Sequence, residues 1–369
     1  MSVVNDIDTW NLTMNTKTFN YLIDGLGKIN QLKVITQVRK QMEENGCFPD
    51  NQTFLSLLQA AANNAQKYMD ELLEKNESQP SKYSLSEAPF LHLINAYVKS
   101  FERVDYLFVI ASRYREVTSM LWNHDKNAKH LMHKYIHDYT PFYNAWLKCA
   151  YFALLRAHTL TDDNVTSNKL KDEVFKDVFQ FYEDLIINTK DWSPNENTFQ
   201  ILCDICYLIK DWSLGTNVFK AGLTHWNIFS DQMFFPFISQ LQQTQPQNIG
   251  TTKTGNQCHA LHLESVSHIS IGIFATLYYF RFWRDNQLIQ PDCQFSIITS
   301  PDIHAKDDTS LLSTLLQLFS SDTFPVKIRA GLTKHLPTTI QLNTTDLLDW
   351  AEKRKSRPKN FLQEINSLD

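Results

Sequence analysis

Apolar residues recur along much of this chain with the spacing of one face of a helix. In six segments an aromatic residue at position i is followed by apolar residues at i+3 and i+4. The six aromatic residues are Phe19, Phe54, Phe90, Tyr143, Phe199 and Phe234. The intervals from Phe19 to Phe54 and from Phe199 to Phe234 are both 35 residues. Self-similarity at a fixed period predicts a stacked helical repeat, in which each unit buries its apolar face against its neighbours.

A helix-capping residue lies four positions before most of these aromatic residues. The capping residues are Asn15, Asp50, Ser86, Asn195 and Ser230, whereas the fourth unit has Tyr139 at this place. Their short polar side chains accept hydrogen bonds from the first backbone N–H groups of a helix. A second apolar stripe follows in nearly every unit, as in Leu32 to Met42. The pattern therefore predicts an all-α solenoid of antiparallel helical hairpins.

The organisation of the chain follows from this pattern. An N-terminal extension at 1–14 precedes a repeat array at 15–241, which carries insertions near 117–138 and 159–169 where the intervals exceed one period. We expect an extra helix over most of the first insertion and a polar loop in the second.

The pattern loosens after residue 241. Residues 242–369 are predicted to hold degenerate helical repeats and a C-terminal cap, with a long apolar helix over His262 to Trp283 and three helices from Leu311 to Lys355 that are separated near Pro325 and Pro337.

Composition and charge narrow the possible classes of protein. The formal net charge of −5 gives no indication of nucleic-acid binding, although a chain with this net charge can still carry a local basic surface. The clearest basic run, Lys353 to Lys359, is read as a solvated helix end in preference to an RNA-phosphate contact or a nuclear signal. Six dispersed cysteines indicate a reducing compartment, and no apolar run approaches the length of a membrane span. Met1 to Thr18 contains two aspartates and no arginine, so no transit peptide is expected there.

Candidate metal and catalytic motifs are weak. Cys203 and Cys206 lie on apolar columns of one helix, so core packing is favoured over a metal or redox site. His130, His133 and His137 share a helical face whose lysines favour a polar surface stripe, and the Cys258, His259 and His262 group is read as a loop flanking a helix. Gly25 to Lys28 lacks the glycine spacing of a phosphate loop. We predict no cofactor, no metal, no catalytic centre and no enzyme activity.

The segment from Thr16 to Lys28, continued by Met42 to Asp50, closely resembles a pentatricopeptide repeat, and Pro194 to Phe199 is a second good match. The resemblance covers roughly Asn15 to Leu241. It implies a right-handed superhelix of helical hairpins that binds single-stranded RNA, one base per repeat, chiefly in mitochondria and chloroplasts.

The resemblance also assigns base-reading side chains. In this family the residue after the aromatic acts with the capping residue of the next unit. The corresponding pairs are Asn20 with Asp50, Leu55 with Ser86, Leu91 with Tyr139, Asn144 with Asn195, Gln200 with Ser230, and Phe235 with Asp292. Asn20, Asp50, Asn144, Asn195, Gln200 and Ser230 are the predicted RNA-binding residues, because amide and hydroxyl groups both donate and accept hydrogen bonds. The alternative for Asn20 and Asn144 is an exposed polar residue with no partner. Phe19, Phe54 and Phe199 are predicted to be hairpin core rather than stacking platforms.

The leading hypothesis is a non-enzymatic protein of the mitochondrial matrix that holds messenger or ribosomal RNA. It would support RNA maturation, stability or translation, with mitochondrial ribosome proteins as further partners and no membrane span. A rival hypothesis is a protein-binding helical scaffold, favoured by the acidic balance and by Leu55, Leu91 and Phe235 at reading positions. A repeat array fused to a metal-dependent nuclease would need clustered aspartates after the repeats, and none stands out.

Overall fold

A computed structural model gives the structure of the protein. It describes residues 14–29, 31–60, 65–83, 85–101, 106–122, 136–160, 164–187, 193–230, 234, 258–266, 268–300, 310–333 and 336–355. The chain forms two compact units, Met1–Pro194 and Asn195–Asp369, so the division falls within the stretch predicted to be one repeat array. Within the described ranges, no helix combines the length and the apolar character that crossing a membrane requires.

The first unit consists of helical hairpins, as the apolar spacing predicts. Its helices are α1 (Thr16–Lys28), α2 (Leu32–Glu44), α3 (Asn51–Ala60), α4 (Ala65–Ser78), α5 (Glu87–Phe101), α6 (Leu107–Trp122), α7 (Thr140–Thr159) and α8 (Asn164–Phe181), and α8 continues into a π-helical turn at Tyr182–Ile187. The predicted polar loop at 159–169 is too long, because α8 already begins at Asn164. Residues 123–135, most of the predicted extra helix, lie outside the described residues.

The helices of this unit form two rows. The A row comprises α1, α3, α5 and α7, and each of these helices packs against the next as well as against the second helix of its own hairpin. The B row comprises those second helices, α2, α4, α6 and α8. Phe19 and Phe54 are almost completely buried in this packing, which confirms that they belong to the hairpin core. Burying one such side chain contributes about 1.5–3 kcal/mol.

Ion pairs and hydrogen bonds join neighbouring helices of the B row. The Arg39 guanidinium on α2 bonds to the Glu71 carboxylate on α4. The Arg115 guanidinium on α6 makes a bidentate pair with the Glu173 carboxylate on α8, at 2.8 and 2.7 Å. The Tyr114 hydroxyl, which is almost fully buried, donates to the Asp177 carboxylate at 3.0 Å. On the B row, the first repeat is therefore joined to the second and the third repeat to the fourth.

The second unit begins with one more helical hairpin and continues as an α/β module. Its elements are α9 (Glu196–Leu208), α10 (Trp212–Thr224), β1 (Cys258–Leu263), α11 (Ile269–Asp285), β2 (Gln294–Thr299), α12 (Leu311–Ser320), β3 (Ala330–Thr333), β4 (Leu336–Leu342) and α13 (Thr344–Lys355). The sheet has the order β1-β2-β4-β3, with β1 parallel to β2 and β4 antiparallel to both of its neighbours. Helices α9 and α10 both pack against α11.

The prediction of a mostly helical fold is confirmed, but the helical repeats expected at 242–369 are corrected by this sheet. In β1, His259, Leu261 and Leu263 are buried at every second position, which is the period of a strand. The loop predicted around Cys258 and His259 and the helix start predicted at His262 are both corrected, because these residues lie in β1 and α11 begins at Ile269.

The three helices expected between Leu311 and Lys355 are also corrected. Only α12 and α13 are helices, because the stretch between them forms β3 and β4. Pro337, read as a helix separator, lies in β4 outside the register of this strand with β2, so its missing N–H removes no bond from that ladder.

Gly27 allows α1 to approach α3. A Cβ atom placed on Gly27 would lie 2.5 Å from Ala60 Cβ, whereas one on Gly25, two residues earlier in the same helix, meets no atom within 4 Å. We therefore expect Gly27→Ala to lower the free energy of unfolding by about 1–3 kcal/mol through overpacking, despite the better helix propensity of alanine. The matched change Gly25→Ala should raise it by about 0.5–1 kcal/mol. Urea unfolding of the two variants checks this contrast, and equal effects would show that the helices do not need the close approach.

His259 lies inside the α/β module without a hydrogen bond to its ring Nε2 atom from any described residue. Its ring stacks on Phe295, with centroids 5.0 Å apart, and contacts Trp283 at 6.0 Å. Burial lowers the pKa of His259 below its ordinary value of 6.5, since protonation would place an unpaired charge among aromatic rings.

The lowered pKa of His259 predicts acid sensitivity of the second unit. The neutral ring is the stable form in the fold, so its contribution is complete above about pH 6.5 and is lost as the pH falls toward the lower folded-state pKa. The variant His259→Phe should therefore lose less stability between about pH 7.5 and about pH 5 than the parent protein. Urea unfolding at the two pH values measures this, and His225→Gln, which changes an exposed histidine, is the control. An unchanged pH dependence in His259→Phe would contradict the assignment.

Candidate nucleic-acid interface

The structure brings together Asn20 and Asp50, the first pair predicted to read a base. Asn20 lies on α1 and its side-chain Nδ2 donates to Asp50 Oδ1 at 3.1 Å. Asp50 precedes α3, where its Oδ1 accepts the backbone N–H of Thr53 at 2.8 Å and its own N–H donates to Thr53 Oγ1 at 3.0 Å. The helix cap of the second repeat is therefore also the partner of the amide from the first repeat.

Thr53 completes this cluster, which we call the Asn20 cluster (Asn20, Asp50 and Thr53). Its hydroxyl oxygen lies 2.7 Å from Asn20 Oδ1 and 2.9 Å from Asp50 Oδ1. A hydroxyl has one hydrogen to donate, and Asp50 Oδ1 already accepts two N–H groups, so the shorter contact to Asn20 Oδ1 is the better bond. Asn20 is 5% exposed, and its carbonyl oxygen and one N–H are used within the protein. The predicted reading amide is therefore buried and joins two repeats, and its second N–H has no hydrogen-bond partner among the described residues.

In the next two predicted pairs, the residue on the A-row helix is a leucine, whose side chain cannot form hydrogen bonds. Leu55 and Leu91 are half-buried on α3 and α5, and Ser86 is exposed just before α5. An apolar side chain at this position offers van der Waals contact but cannot match the donors and acceptors of a base edge.

The fourth unit keeps the helix register that the sequence suggested, but its cap and its buried aromatic residue differ. The cap position of α7 is Tyr139, and the Tyr143 backbone N–H donates to the Tyr139 carbonyl at 3.0 Å, as the Phe19 N–H does to the Asn15 carbonyl. The Tyr139 side chain makes no capping bond, and the Asp138 carboxylate accepts the backbone N–H of Thr140 at 2.9 Å instead. Phe142 is completely buried, whereas Tyr143 is half-buried.

Asn144 therefore keeps the position of α7 that corresponds to Asn20 on α1. Asn144 is 6% exposed and Asn20 is 5% exposed, so both predicted reading amides are buried. The Tyr143 ring, one residue earlier, stacks on Tyr139 with centroids 5.8 Å apart.

The predicted residues of the second unit have mainly local roles in the described structure. Asn195 caps α9 through a reciprocal capping box with Thr198, with bonds of 3.1 Å in both directions. Gln200 is half-buried and its side chain bonds to Asp204 one turn later. Ser230 is exposed after α10, and Phe235 lies outside the described residues. Asn144 and Asn195 belong to different units.

Asp204, which sequence reasoning missed, anchors a polar contact within the second unit. Its carboxylate accepts the Ser270 hydroxyl at 2.6 Å, from the first turn of α11. Burial raises the pKa of Asp204, while the hydrogen bonds from Ser270 and Gln200 and the nearby His268 ring act in the opposite direction. The contact ties α9 to α11, and Gln200 contributes to it.

The candidate metal and redox motifs contribute to packing or lie on the surface wherever the structure describes them. Cys203 and Cys206 are buried in α9, where desolvation raises the pKa of both thiols. His137 is exposed, but His130 and His133 lie outside the described residues, as does most of the basic run after Lys353. The part of the chain that the structure describes contains no group of three or more residues placed to hold a metal ion.

Charge is distributed differently on the two helical rows of the first unit. The A-row helices carry five basic side chains (Lys17, Lys28, Lys99, Lys148 and Arg156) and two acidic ones (Asp24 and Glu87). The B-row helices carry ten basic and ten acidic side chains. All four A-row lysines are exposed. The A row thus has a positive excess within a chain of negative net charge.

The described elements and the Asn20 cluster define a protein built on helical-hairpin repeats. Residues 14–63, which include α1, α2, α3 and this cluster, match the PPR repeat family. That segment is therefore similar to the pentatricopeptide repeat that its sequence resembles, and the match covers this part of the chain alone.

Comparison with other proteins adds little detail. The chain is similar to the crystal structure of the pentatricopeptide repeat protein PPR10 from maize, with 14% sequence identity and a TM-score of 0.27. That match covers 78% of this chain and 44% of the maize protein, so less than half of the longer chain is represented. No curated protein matches the chain.

The Asn20 cluster predicts an order of stability among variants. Asn20→Ala should cost only about 1 kcal/mol, because the Thr53 hydroxyl can turn to Asp50 Oδ1 instead. Asn20→Asp should cost more near neutral pH, because it replaces a donor with a second carboxylate beside Asp50.

The difference between these two variants should narrow as the pH falls to about 4, where the paired carboxylates bind a proton. Urea unfolding at both pH values measures it. Gln52→Glu, which adds a carboxylate at an exposed position of α3, is the control. If Asn20→Asp were as stable as Asn20→Ala near neutral pH, the cluster would not have the described geometry.

Proposed function

We propose that the protein binds single-stranded RNA along the A row of its first unit and that it supports mitochondrial gene expression. The observation that carries the proposal is that the segment matching the PPR repeat family coincides with the start of the row that has the basic excess. Exposed lysines on this row are suited to the phosphates of an RNA strand. The cellular process in this proposal is the maturation, stability or translation of mitochondrial RNA, with mitochondrial ribosome proteins as further partners.

The Asn20 cluster supports weak rather than extensive base reading. One amide N–H of Asn20 remains for a base, while its other groups are engaged by Asp50 and Thr53. Leu55 and Leu91 offer no hydrogen bond at the following positions. Affinity for RNA would therefore rest mainly on phosphate contacts and on the apolar surface of the row.

A second candidate function is a scaffold that binds a protein segment on the same row. The half-buried Leu55 and Leu91 favour it, because partly exposed apolar side chains on adjacent helices suit an apolar partner side chain. The two functions differ in their dependence on salt, since phosphate contacts release counterions from RNA and apolar contacts do not.

The lysines of the two rows provide a matched test of RNA binding. One variant carries Lys17→Gln, Lys28→Gln, Lys99→Gln and Lys148→Gln on the A row, and the other carries Lys33→Gln, Lys40→Gln, Lys67→Gln and Lys176→Gln on the B row. All eight side chains are exposed, and both variants lose the same charge. Dissociation constants for single-stranded RNA are measured by fluorescence anisotropy across a salt series.

The A-row variant should bind RNA more weakly. The slope of the logarithm of the association constant against the logarithm of the salt concentration is negative, and its magnitude should decrease by about 0.7 for each phosphate contact that is lost. The B-row variant should bind almost as the parent does. Equal loss in both variants would assign the binding to net charge rather than to the A row. Binding of a protein but no RNA by the parent, even at low salt, would favour the scaffold.

The cellular role has its own test. RNA crosslinked to the protein in intact cells is purified and sequenced, and the sedimentation of the protein with mitochondrial ribosomes is followed. Enrichment of mitochondrial transcripts or ribosomal RNA is expected, whereas enrichment of cytosolic transcripts alone would overturn the mitochondrial assignment.

A further inference from the structure

Two exposed aromatic side chains flank the Asn20 cluster. Tyr21 follows Asn20 on α1 and is 67% exposed, and Phe48 precedes Asp50 by two residues and is 66% exposed. Two residues of extended chain span about 7 Å at most, so both rings are attached close to the hydrogen-bonded pair. The aromatic residues of the neighbouring core, such as Phe19 and Phe54, are buried instead. Exposed rings at these two places are therefore not needed for packing the hairpins.

A lysine accompanies each exposed ring. Lys17 Nζ lies 5.9 Å from the centroid of the Tyr21 ring, and Lys82 Nζ lies 6.0 Å from the centroid of the Phe48 ring. An ammonium group attracted to one face of a ring leaves the opposite face for a flat ligand. Since about two thirds of each aromatic side chain is exposed, that face is accessible from solvent.

The charges around the two rings favour an anionic ligand. Asp24, the acidic residue on the same side of α1 as Tyr21, is paired with Lys28 at 2.9 Å. The Asp50 carboxylate is engaged by Asn20 and by the backbone of Thr53. Lys17 and Lys82 have no carboxylate among their described salt-bridge partners. A ligand that combines flat rings with negative charge, which is the chemistry of a nucleic-acid strand, fits this arrangement.

We propose that Tyr21 and Phe48 are stacking platforms for bases of single-stranded RNA on either side of the Asn20 cluster, with Lys17 and Lys82 at the adjacent phosphates. This inference rests on the proposed RNA-binding function and adds the source of affinity at the first repeat. Stacking tolerates any base, because every base has a flat face. The amide of Asn20 then remains available to hold the two repeats together, and its contribution to base choice is limited to one N–H group.

The test combines changes in the protein with a change in the RNA. The full chain is titrated into an oligouridine of about ten nucleotides and into an abasic strand with the same sugar–phosphate backbone. Tyr21→Ala and Phe48→Ala remove the rings, while Tyr21→Phe keeps a ring without the hydroxyl. Tyr106→Ala and Phe108→Ala are matched controls, because these side chains are 67% and 70% exposed at the start of α6 on the B row.

Each of the changes Tyr21→Ala and Phe48→Ala should weaken oligouridine binding by roughly five- to 150-fold, the usual effect of losing one base–aromatic stack. Binding of the abasic strand should be weaker in the parent and nearly unaffected by either change. Tyr21→Phe should bind as the parent does. Thermal unfolding should show no loss of stability, since the removed rings are exposed.

The outcomes separate this inference from the proposed function. If the parent binds oligouridine but Tyr21→Ala, Phe48→Ala and both controls bind equally well, RNA binding stands and the stacking platforms are overturned. If the variants weaken the binding of the abasic strand as much as that of oligouridine, the rings do not act on bases and the proposal is also overturned. If the parent binds neither strand at low salt, the proposed function fails together with the inference.

Discussion

A helical hairpin of this size cannot bury its apolar face alone, and the first unit depends on stacking each hairpin against the next. The constraint is met on the A row, where Gly27 lets α1 approach Ala60 on α3 and where Phe19 and Phe54 are buried between helices. Arg39 with Glu71 on the B row adds a tie between the second helices. The helix backbones that carry the solvent-facing side chains of the A row are consequently held in place by core packing.

The Asn20 cluster shows how a residue can be placed for a ligand and still be engaged by the fold. Asn20, Asp50 and Thr53 form a hydrogen-bonded set because the cap of α3 has to lie next to α1 when the two helices pack. An amide buried at such a joint must find partners, since an unpaired polar group would cost about 1–3 kcal/mol. Asn20 and Asp50 lie close enough to contact one base together, and for the same reason they can form a hydrogen bond with each other. In our proposal the affinity for RNA comes from the exposed rings of Tyr21 and Phe48 and from the nearby lysines, which make fewer contacts within the protein than Asn20 does.

After its first hairpin, the second unit is built from a helix packed against a sheet instead of from stacked hairpins. Helix α11 packs against α9 and α10 on one hand and against β1 on the other, so a single apolar helix serves both the hairpin and the sheet. Eleven of its residues are buried, which accounts for the nearly continuous apolar sequence that sequence reading assigned to a long repeat helix. His259 shares the aromatic interior of the module with Trp283 and Phe295, and it places a titratable ring where a charge is unfavourable.

The sequence by itself determined the helical hairpins, the buried aromatic column from Phe19 to Phe54 and the family of the first repeat, because these depend on local spacing, caps and a repeated period. It also predicted that Asn20 and Asp50 would be neighbours. The tertiary structure alone decided which aromatic residue of the fourth unit is buried, since both Phe142 and Tyr143 fit a helical period and only packing buries one of them fully. It likewise decided the sheet, because β1, β2 and β4 are short strands whose pairing joins residues such as Leu261, Ile297 and Ile340 that are distant in the chain. Local patterns specify which face of an element is apolar, whereas the partner that covers this face is chosen by contacts between distant segments.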